Sequence, residues 1–156
     1  MRLDEQSLQR WGERIGDTTG TPIVLGLRGP LGAGKSVLAR AIGSGAGVQD
    51  SMPSPSFNLL FRYSAASGRE LVHIDLYRLE SPDELWELGW QQLGAENEIV
   101  VVEWPERAEE LMPPDHWVID LAVAAENPEL RDIGVRRVGS PPELPGFPMS
   151  VSGFGT

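Results

Sequence analysis

Eight consecutive residues near the start of the chain have the types and spacing of a phosphate-binding loop. Residues 29–36 read Gly-Pro-Leu-Gly-Ala-Gly-Lys-Ser, which fits the pattern Gly-x-x-x-x-Gly-Lys-Ser. A polyphosphate needs many hydrogen-bond donors in a small volume, and the backbone N–H groups of a tightly wrapped loop supply them. Lys35 offers a cation to the β and γ oxygens, and Ser36 offers a hydroxyl to magnesium. The octet therefore predicts a nucleoside triphosphate as the ligand.

The sequence on either side of this loop predicts the elements that would position it. The apolar run Ile23–Leu27 predicts a strand before the loop. The apolar residues that follow Ser36 predict a helix, which we expect Gly43 and Gly45 to end. An ordinary glycine turn before a helix would explain the glycines alone, but the strand, loop and helix stand in the order that a nucleotide site requires.

Two carboxylates are candidates for the chemistry of hydrolysis, which needs a held magnesium ion and an oriented water. Glu103 ends the apolar strand that starts at Ile99, at the edge where ligand crevices form in open α/β sheets. Strand alternation places Asp75 on the same face as His73 and Tyr77. The alternative for Asp75 is a structural role, in which it pairs with Arg78 or caps a turn. For His73 the favoured interpretation is a strand histidine that is exposed or hydrogen-bonded in the core.

Residues 51–56, after the helix that follows the phosphate loop, predict a stiff loop without regular structure, because each of its two prolines restricts both itself and the residue before it. Ser54 and Ser56 in this loop are turn residues, or hydroxyls that sense a γ-phosphate as in switch-like hydrolases. The guanine signature Asn-Lys-x-Asp does not occur in the sequence. Adenine is therefore the expected base.

Composition limits the classes of protein that the chain can represent. Its 156 residues suit one domain, and no apolar run approaches the roughly 18 residues that span a bilayer. The chain has no cysteine, which excludes disulfides and thiolate metal sites, and its first residues lack an apolar signal core, so we expect a cytoplasmic protein. A net charge of −10 argues against tight nucleic-acid binding, although solubility alone explains the acidity.

The remaining patterns predict an α/β fold with a P-loop NTPase-like sheet, in which antiparallel strands flank parallel central strands and helices cover both faces. A first helix should run over 4–17 with Trp11 in the core, and Ser81-Pro82-Asp83-Glu84 forms a capping box for a helix to about Leu88. Further elements are a hairpin of 57–63 and 70–77, a short helix over 105–111, and a closing strand pair over 117–124 and 132–138. We expect a P-loop ATPase domain over 1–139 and a loosely ordered Pro/Gly-rich tail over 140–156.

Four sequence blocks, in this order, resemble the TsaE family, the bacterial ATPases of tRNA threonylcarbamoyladenosine synthesis. They are Leu31–Ser36, Ser54–Phe57, His73–Leu79 and Val102–Glu106, within a similarity over roughly residues 4–125. The resemblance implies that the loop binds ATP, that Ser36 and Glu103 bind magnesium, and that Asp75 is needed for hydrolysis. It also implies that Trp104 and Ser7 approach the nucleotide and that the loop with Ser56 is switch-like. The full nucleotide-binding set is then Gly29, Gly32, Ala33, Gly34, Lys35, Ser36, Val37, Trp104 and Ser7.

The chain departs from the family pattern at three positions. Pro30 stands where the family commonly has an acidic residue, and Ser36 and Ser56 stand in the places of threonines. Each serine keeps a hydroxyl, so magnesium binding is still expected, whereas Pro30 removes one backbone donor near the phosphates.

The resemblance further implies TsaD- and TsaB-like protein partners in the transfer of threonylcarbamoyl onto tRNA adenosine. Two alternatives stay open at the level of sequence. A small-molecule kinase needs the same loop together with an acceptor pocket and a mobile, arginine-bearing lid, and the sequence shows no arginine-rich lid. A regulatory protein would bind nucleotide as a switch without significant turnover.

Overall fold

The computed structural model describes residues 1–50, 52 and 59–148. The predictions for Ser54, Ser56 and the tail beyond Pro148 lie outside these residues. The strands are β1 Arg2–Asp4, β2 Ile23–Arg28, β3 Leu60–Ser64, β4 Glu70–Asp75, β5 Glu98–Glu103, β6 His116–Ala124 and β7 Asn127–Val138. The α-helices are α1 Glu5–Thr18, α2 Lys35–Ala46 and α3 Asp83–Glu87, and 3-10 turns occupy Ala66–Gly68, Trp90–Gln92 and Pro105–Leu111.

Within the described residues, seven strands form one mixed sheet in the order β1-β7-β6-β2-β5-β4-β3. The central strands β6, β2, β5 and β4 run parallel, while β7, β1 and β3 pair antiparallel at the two sides. The predicted sheet of parallel central strands with antiparallel additions is confirmed. Every residue of β5 is buried, since a central parallel strand is covered on both faces.

Helices cover both faces of this sheet, as predicted. Alternate residues of the central strands point to opposite sides, so Leu25 and Val101 pack in the core beneath α1 and α2. Val24 and Val102 pack in a second core with Leu85 of α3. The sheet is therefore fixed between two apolar layers, which holds its strand ends in place.

The first helix forms as its sequence predicts. The carboxylate of Asp4 accepts a hydrogen bond of 2.8 Å from the backbone N–H of Ser7, which caps the helix. Leu8, Trp11 and Ile15 are buried on one face. Strand β1 directly before this helix is absent from the sequence prediction, because its three residues carry no periodic pattern and become a strand only by pairing with β7.

The prediction that Gly43 and Gly45 end the second helix is wrong. Helix α2 continues to Ala46 and ends at Gly47, which has the left-handed conformation typical of the residue after a helix. Gly45 instead allows α1 and α2 to touch, since a Cβ at this position would lie 1.9 Å from the carbonyl oxygen of Glu13. The absence of a side chain here serves packing between helices.

The predicted hairpin and capping box are both present. Strands β3 and β4 pair antiparallel, with Leu60 opposite Ile74. The carboxylate of Glu84 accepts a hydrogen bond of 3.0 Å from the backbone N–H of Ser81, which is the reciprocal bond of a capping box. Residues 105–111 form a 3-10 turn, and the closing strand pair begins at His116 and Asn127.

The segment after β7 has no helix or strand through Pro148, but it packs against the domain. The indole N–H of Trp117 donates to the carbonyl of Pro142 at 2.7 Å, and that of Trp11 donates to the carbonyl of Pro145 at 3.1 Å. The ring of Phe147 lies 4.6 Å from that of Trp11, measured between centroids. The division into a domain over 1–139 and a tail over 140–156 stays a prediction. Within the described ranges, no helix combines the length and apolar character needed to cross a bilayer.

Candidate nucleotide-binding site

The glycine-rich loop joins the end of β2 to the start of α2, and its backbone takes conformations that favour glycine. Gly29, Gly32 and Gly34 have φ values of 151°, 81° and 106°. A Cβ on Gly29 would lie 2.3 Å from the carbonyl oxygen of Leu121, so no other residue fits there without a shift. The loop wraps at the carboxyl edge of the parallel strands, where the sequence placed it.

Lys35 begins α2 and folds back over the loop. Its side-chain ammonium donates to the carbonyl of Gly29 and, at 2.9 Å, to the carbonyl of Pro30. The residue is only 5% exposed. Burial lowers the pKa of Lys35, while the nearby carboxylates of Glu103, Glu106 and Asp75 oppose that shift. The loop thus holds a desolvated cation beside a cluster of acids.

Ser36 and Glu103 meet across the crevice between α2 and β5. The serine hydroxyl donates to Oε1 of Glu103 at 3.1 Å. The glutamate is 2% exposed, although it ends a strand and faces a cavity. Nε2 of His73, on β4, lies 2.6 Å from Oε2 of Glu103. The two predicted magnesium ligands are therefore adjacent, and a buried histidine holds one of them.

Asp75 ends the neighbouring strand β4 and pairs in register with Glu103 of β5. Its carboxylate accepts a hydrogen bond of 3.0 Å from the backbone N–H of Tyr77. Burial raises the pKa of Asp75, and the nearby negative charge of Glu103 adds to that shift, whereas the bond from Tyr77 opposes it. Both strand-end carboxylates thus face the same crevice, as the sequence predicted.

Trp104 follows β5 and closes one side of the crevice. It is one of two non-glycine residues in the described part of the chain with a positive φ, of 60°. Its ring lies 5.0 Å from the ring of Tyr77, measured between centroids. A bulky residue in the left-handed region stores backbone strain, and such residues cluster at functional sites.

These side chains surround an open cavity of about 370 Å³. Loop and helix α2 supply one wall, and the strand ends supply the other. The lining residues are Leu31, Gly32, Gly34, Lys35, Ser36, Val37, Asp75, Tyr77, Glu103, Trp104 and Arg131.

Three residues of the predicted nucleotide-binding set do not line this cavity. Gly29 and Ala33 belong to the loop itself, in which the backbone N–H of Ala33 donates to the carbonyl of Pro30 at 3.1 Å. Ser7 is buried in α1, and its hydroxyl accepts a hydrogen bond of 3.0 Å from Arg10. A nucleotide contact for Ser7 stays a prediction.

Sequence reasoning missed Arg131 and assigned no role at the site to His73. Arg131 lies on β7, and its Nε donates to the carbonyl of Ala33 in the loop at 3.1 Å. No local pattern marks this arginine, because the contact depends on the pairing of β7 with β6. His73 matches the interpretation of a histidine hydrogen-bonded in the core, but its partner is the functional carboxylate of Glu103.

Comparison with known proteins gives the family. A family profile described as threonylcarbamoyl adenosine biosynthesis protein TsaE matches residues 3–133. The tRNA threonylcarbamoyladenosine biosynthesis protein TsaE of Haemophilus influenzae is 35% identical over 115 residues, which cover 70% of this chain and 72% of that protein. The protein of that name from Treponema pallidum is 34% identical over 122 residues, which cover 78% of this chain and 88% of that protein.

A solved structure shares the fold. The crystal structure of Bacillus subtilis YdiB matches this chain with a TM-score of 0.65 and 23% sequence identity, over 89% of this chain and 84% of that one. The profile match spans most of the chain, and it includes the loop, both strand-end carboxylates and Trp104. The chain therefore belongs to the TsaE family of threonylcarbamoyl adenosine biosynthesis proteins.

Proposed function

We propose that this chain binds ATP together with magnesium and hydrolyses the ATP as part of tRNA threonylcarbamoyladenosine biosynthesis. The observation that carries the proposal is the convergence of Lys35, Ser36, Asp75 and Glu103 on one cavity beside a glycine-rich loop. The biosynthetic role rests on membership of the TsaE family and on the names of its relatives.

The residues present fit a triphosphate. Gly29, Gly32 and Gly34 have positive φ, and loops with such turns form concavities of backbone N–H groups that suit an anion. The N-terminus of α2 adds its positive dipole end to the same place. Lys35 has carbonyl partners that phosphate oxygens would replace, and its desolvation strengthens any bond to an anion.

The residues also fit magnesium, in the way that this ion binds to nucleotide sites. No group of three or more His, Asp or Glu side chains suited to a metal occurs among residues 1–50, 52 and 59–148, so the protein offers no complete cage. Magnesium usually takes one or two protein oxygens and completes its shell with phosphate and water. Ser36 and Glu103 would hold it here, where it would neutralise charge on the phosphate oxygens.

Asp75 is suited to act on the attacking water. Its raised pKa brings the carboxylate closer to the working range of a general base, and its place beside Glu103 sets it at the edge of the phosphate cavity. In this proposal Asp75 orients the water and accepts its proton. Lys35 binds the phosphate oxygens on which negative charge develops.

Protein partners complete the proposed role. TsaD- and TsaB-like proteins are the partners that the family resemblance implies. A chain of net charge −10 is better suited to dock on protein than to hold tRNA tightly by itself.

Two substitutions test the site. Lys35→Ala should abolish binding of a fluorescent ATP analogue, because the loop loses the ammonium group that would bind the phosphate oxygens. Asp75→Asn should keep binding within about threefold and lower phosphate release by at least about 100-fold, the usual size of a general-base effect. Full-rate hydrolysis by the Lys35→Ala variant would refute the assignment.

A product assay separates the proposal from its alternatives. Release of free phosphate from ATP supports a hydrolase, whereas a phosphorylated metabolite in a mixture analysed by mass spectrometry would support a kinase. Negligible turnover, even with TsaD- and TsaB-like proteins and tRNA present, would support a regulatory switch. Loss of repeated threonylcarbamoyl transfer when Lys35→Ala replaces the wild-type chain would connect the site to the pathway.

A further inference from the structure

His73 and Glu103 form a buried pair behind the candidate magnesium site. Their exposed fractions are 1% and 2%. Nε2 of His73 lies 2.6 Å from Oε2 of Glu103, which is a short hydrogen bond. Oε1 of the same carboxylate faces the hydroxyl of Ser36 at 3.1 Å. The same hydroxyl lies 3.4 Å from Oε2, so Oε1 is the nearer oxygen to Ser36 and Oε2 also contacts His73.

The other ring nitrogen of His73 decides which group donates in this pair. Nδ1 is buried and has no hydrogen-bond partner among the described residues. If a protonated Glu103 donated to Nε2, a neutral imidazole would carry its hydrogen on Nδ1, where no acceptor lies. A hydrogen on Nε2 avoids that buried, unpaired N–H and gives the carboxylate the donor it needs. The geometry therefore selects the tautomer with hydrogen on Nε2.

Glu103 depends on this donor more than an exposed carboxylate would. Its described side-chain donors are the hydroxyl of Ser36 and the ring of His73. A buried carboxylate without donors is strongly destabilised and rotates or binds a proton instead. The bond from His73 to Oε2 fixes the carboxylate in the orientation in which Oε1 is the oxygen nearer the hydroxyl of Ser36.

We propose that His73 is a positioning residue that fixes the Glu103 carboxylate, so that Oε1 is presented with Ser36 to a divalent cation. The inference rests on the proposed function, because it assigns a role to the pair within the same site. Groups that orient a metal ligand in this way change metal affinity by about 10- to 100-fold when they are removed.

The tautomer can be measured without ligand or activity. Long-range proton–nitrogen NMR of the wild-type protein should show that the ring of His73 carries hydrogen on Nε2 and a lone pair on Nδ1. A His73 ring with hydrogen on Nδ1 would overturn the inference. This measurement does not depend on ATP binding, so its result is separate from the fate of the proposed function.

Magnesium affinity tests the consequence. Binding of a fluorescent ATP analogue is titrated with magnesium in the wild type and in variants, and each protein is also measured in the presence of a chelator. His73→Leu should raise the magnesium concentration at half-saturation by about 10-fold or more, with affinity in chelator within about twofold of wild type. His73→Gln, whose amide can donate from a similar position, should recover most of that loss.

The second histidine provides a matched control. His116 is also largely buried, and its ring bonds to the carbonyl of Pro113 at 2.7 Å, away from the cavity. His116→Leu should leave the magnesium dependence unchanged. Equal magnesium dependence in His73→Leu and wild type would overturn this inference but not the proposed function. An equal loss of magnesium affinity in His73→Leu and His73→Gln would do the same. Absence of any ATP binding by the wild type would overturn the proposed function, and the inference with it.

Discussion

The ammonium nitrogen of Lys35 lies 4.1 Å from the centroid of the Trp104 ring. A cation at this distance over an indole face is attracted by the ring electrons, and the attraction is stronger when both groups are desolvated. The two residues come from different elements, since one starts α2 and the other follows β5. Their contact joins the phosphate loop to the strand end that carries Glu103.

Replacement of Trp104 should weaken nucleotide binding. We expect Trp104→Leu to weaken binding of ATP by about 10-fold, since loss of an aromatic contact is worth about 1–2 kcal/mol. Trp104→Phe keeps a ring and should lose less than about threefold. Equal affinity in all three proteins, measured with a fluorescent ATP analogue, would show that the ring does not contribute to the site.

Asp75 should make the stability of the protein depend on pH. Burial raises its pKa, so the native state binds the proton more tightly than the unfolded chain does. The wild type therefore loses stability as pH rises from the unfolded carboxyl pKa of about 3.9 through the higher folded value. The Asp75→Asn variant does not titrate at this position, so its free energy of unfolding relative to wild type should increase over that range.

Urea unfolding of both proteins at several pH values from about 4 to about 7 measures this difference. Asp17→Asn, at an exposed position on α1, controls for the loss of one negative charge. A difference between Asp75→Asn and wild type that stays constant with pH would contradict the assigned direction.

Gly45→Ala should destabilise the protein although alanine favours helices. The added Cβ would lie 1.9 Å from the carbonyl oxygen of Glu13, which is backbone and cannot move aside alone. We expect a loss of about 1–3 kcal/mol in the free energy of unfolding, against a gain of about 1 kcal/mol from helix propensity.

Gly43→Ala, in the same helix, is the matched control. Its Cβ would first meet the sulfur of Met52, the end of a flexible side chain that can rotate away. Chemical unfolding should show a smaller loss for Gly43→Ala than for Gly45→Ala. A larger loss for Gly43→Ala than for Gly45→Ala would mean that the close contact between α1 and α2 does not determine how much stability an added Cβ costs.

A chain that ends at Gly139 should be less stable than the full chain. It would lose the contact of Phe147 with Trp11 and the carbonyl partners of two buried indoles at Pro142 and Pro145. We expect a loss of about 2–4 kcal/mol, from apolar burial and from leaving indole N–H groups unpaired. Phe147→Ala should reproduce part of this loss, and calorimetry that finds equal unfolding midpoints would contradict the expectation.

Local sequence was sufficient for most of the elements. The glycine-rich octet, the cap at Asp4 and the capping box at Ser81 each depend on residues within one or two helical turns, and all three are present. The continuous apolar stretch of β5 predicted a central strand that ends in Glu103. A conformation that depends only on residues close in sequence can be predicted from the sequence alone.

Contacts between distant segments had to be seen in the tertiary structure. The continuation of α2 through Gly43 and Gly45 depends on how closely α1 approaches. The reach of Arg131 to the loop depends on strand β7, and the bond of His73 to Glu103 depends on the register of β4 against β5. None of these follows from a local pattern.

The sequence by itself determined the phosphate loop, the two strand-end carboxylates and the order of elements that brings them to one edge of a sheet. The tertiary structure decided that Ser36 and His73 both contact the Glu103 carboxylate, that Lys35 and Asp75 are desolvated, and where the segment after β7 packs. The physical reason is that conformation depends on neighbouring residues, whereas desolvation and hydrogen-bond partners depend on segments that meet only when the chain folds.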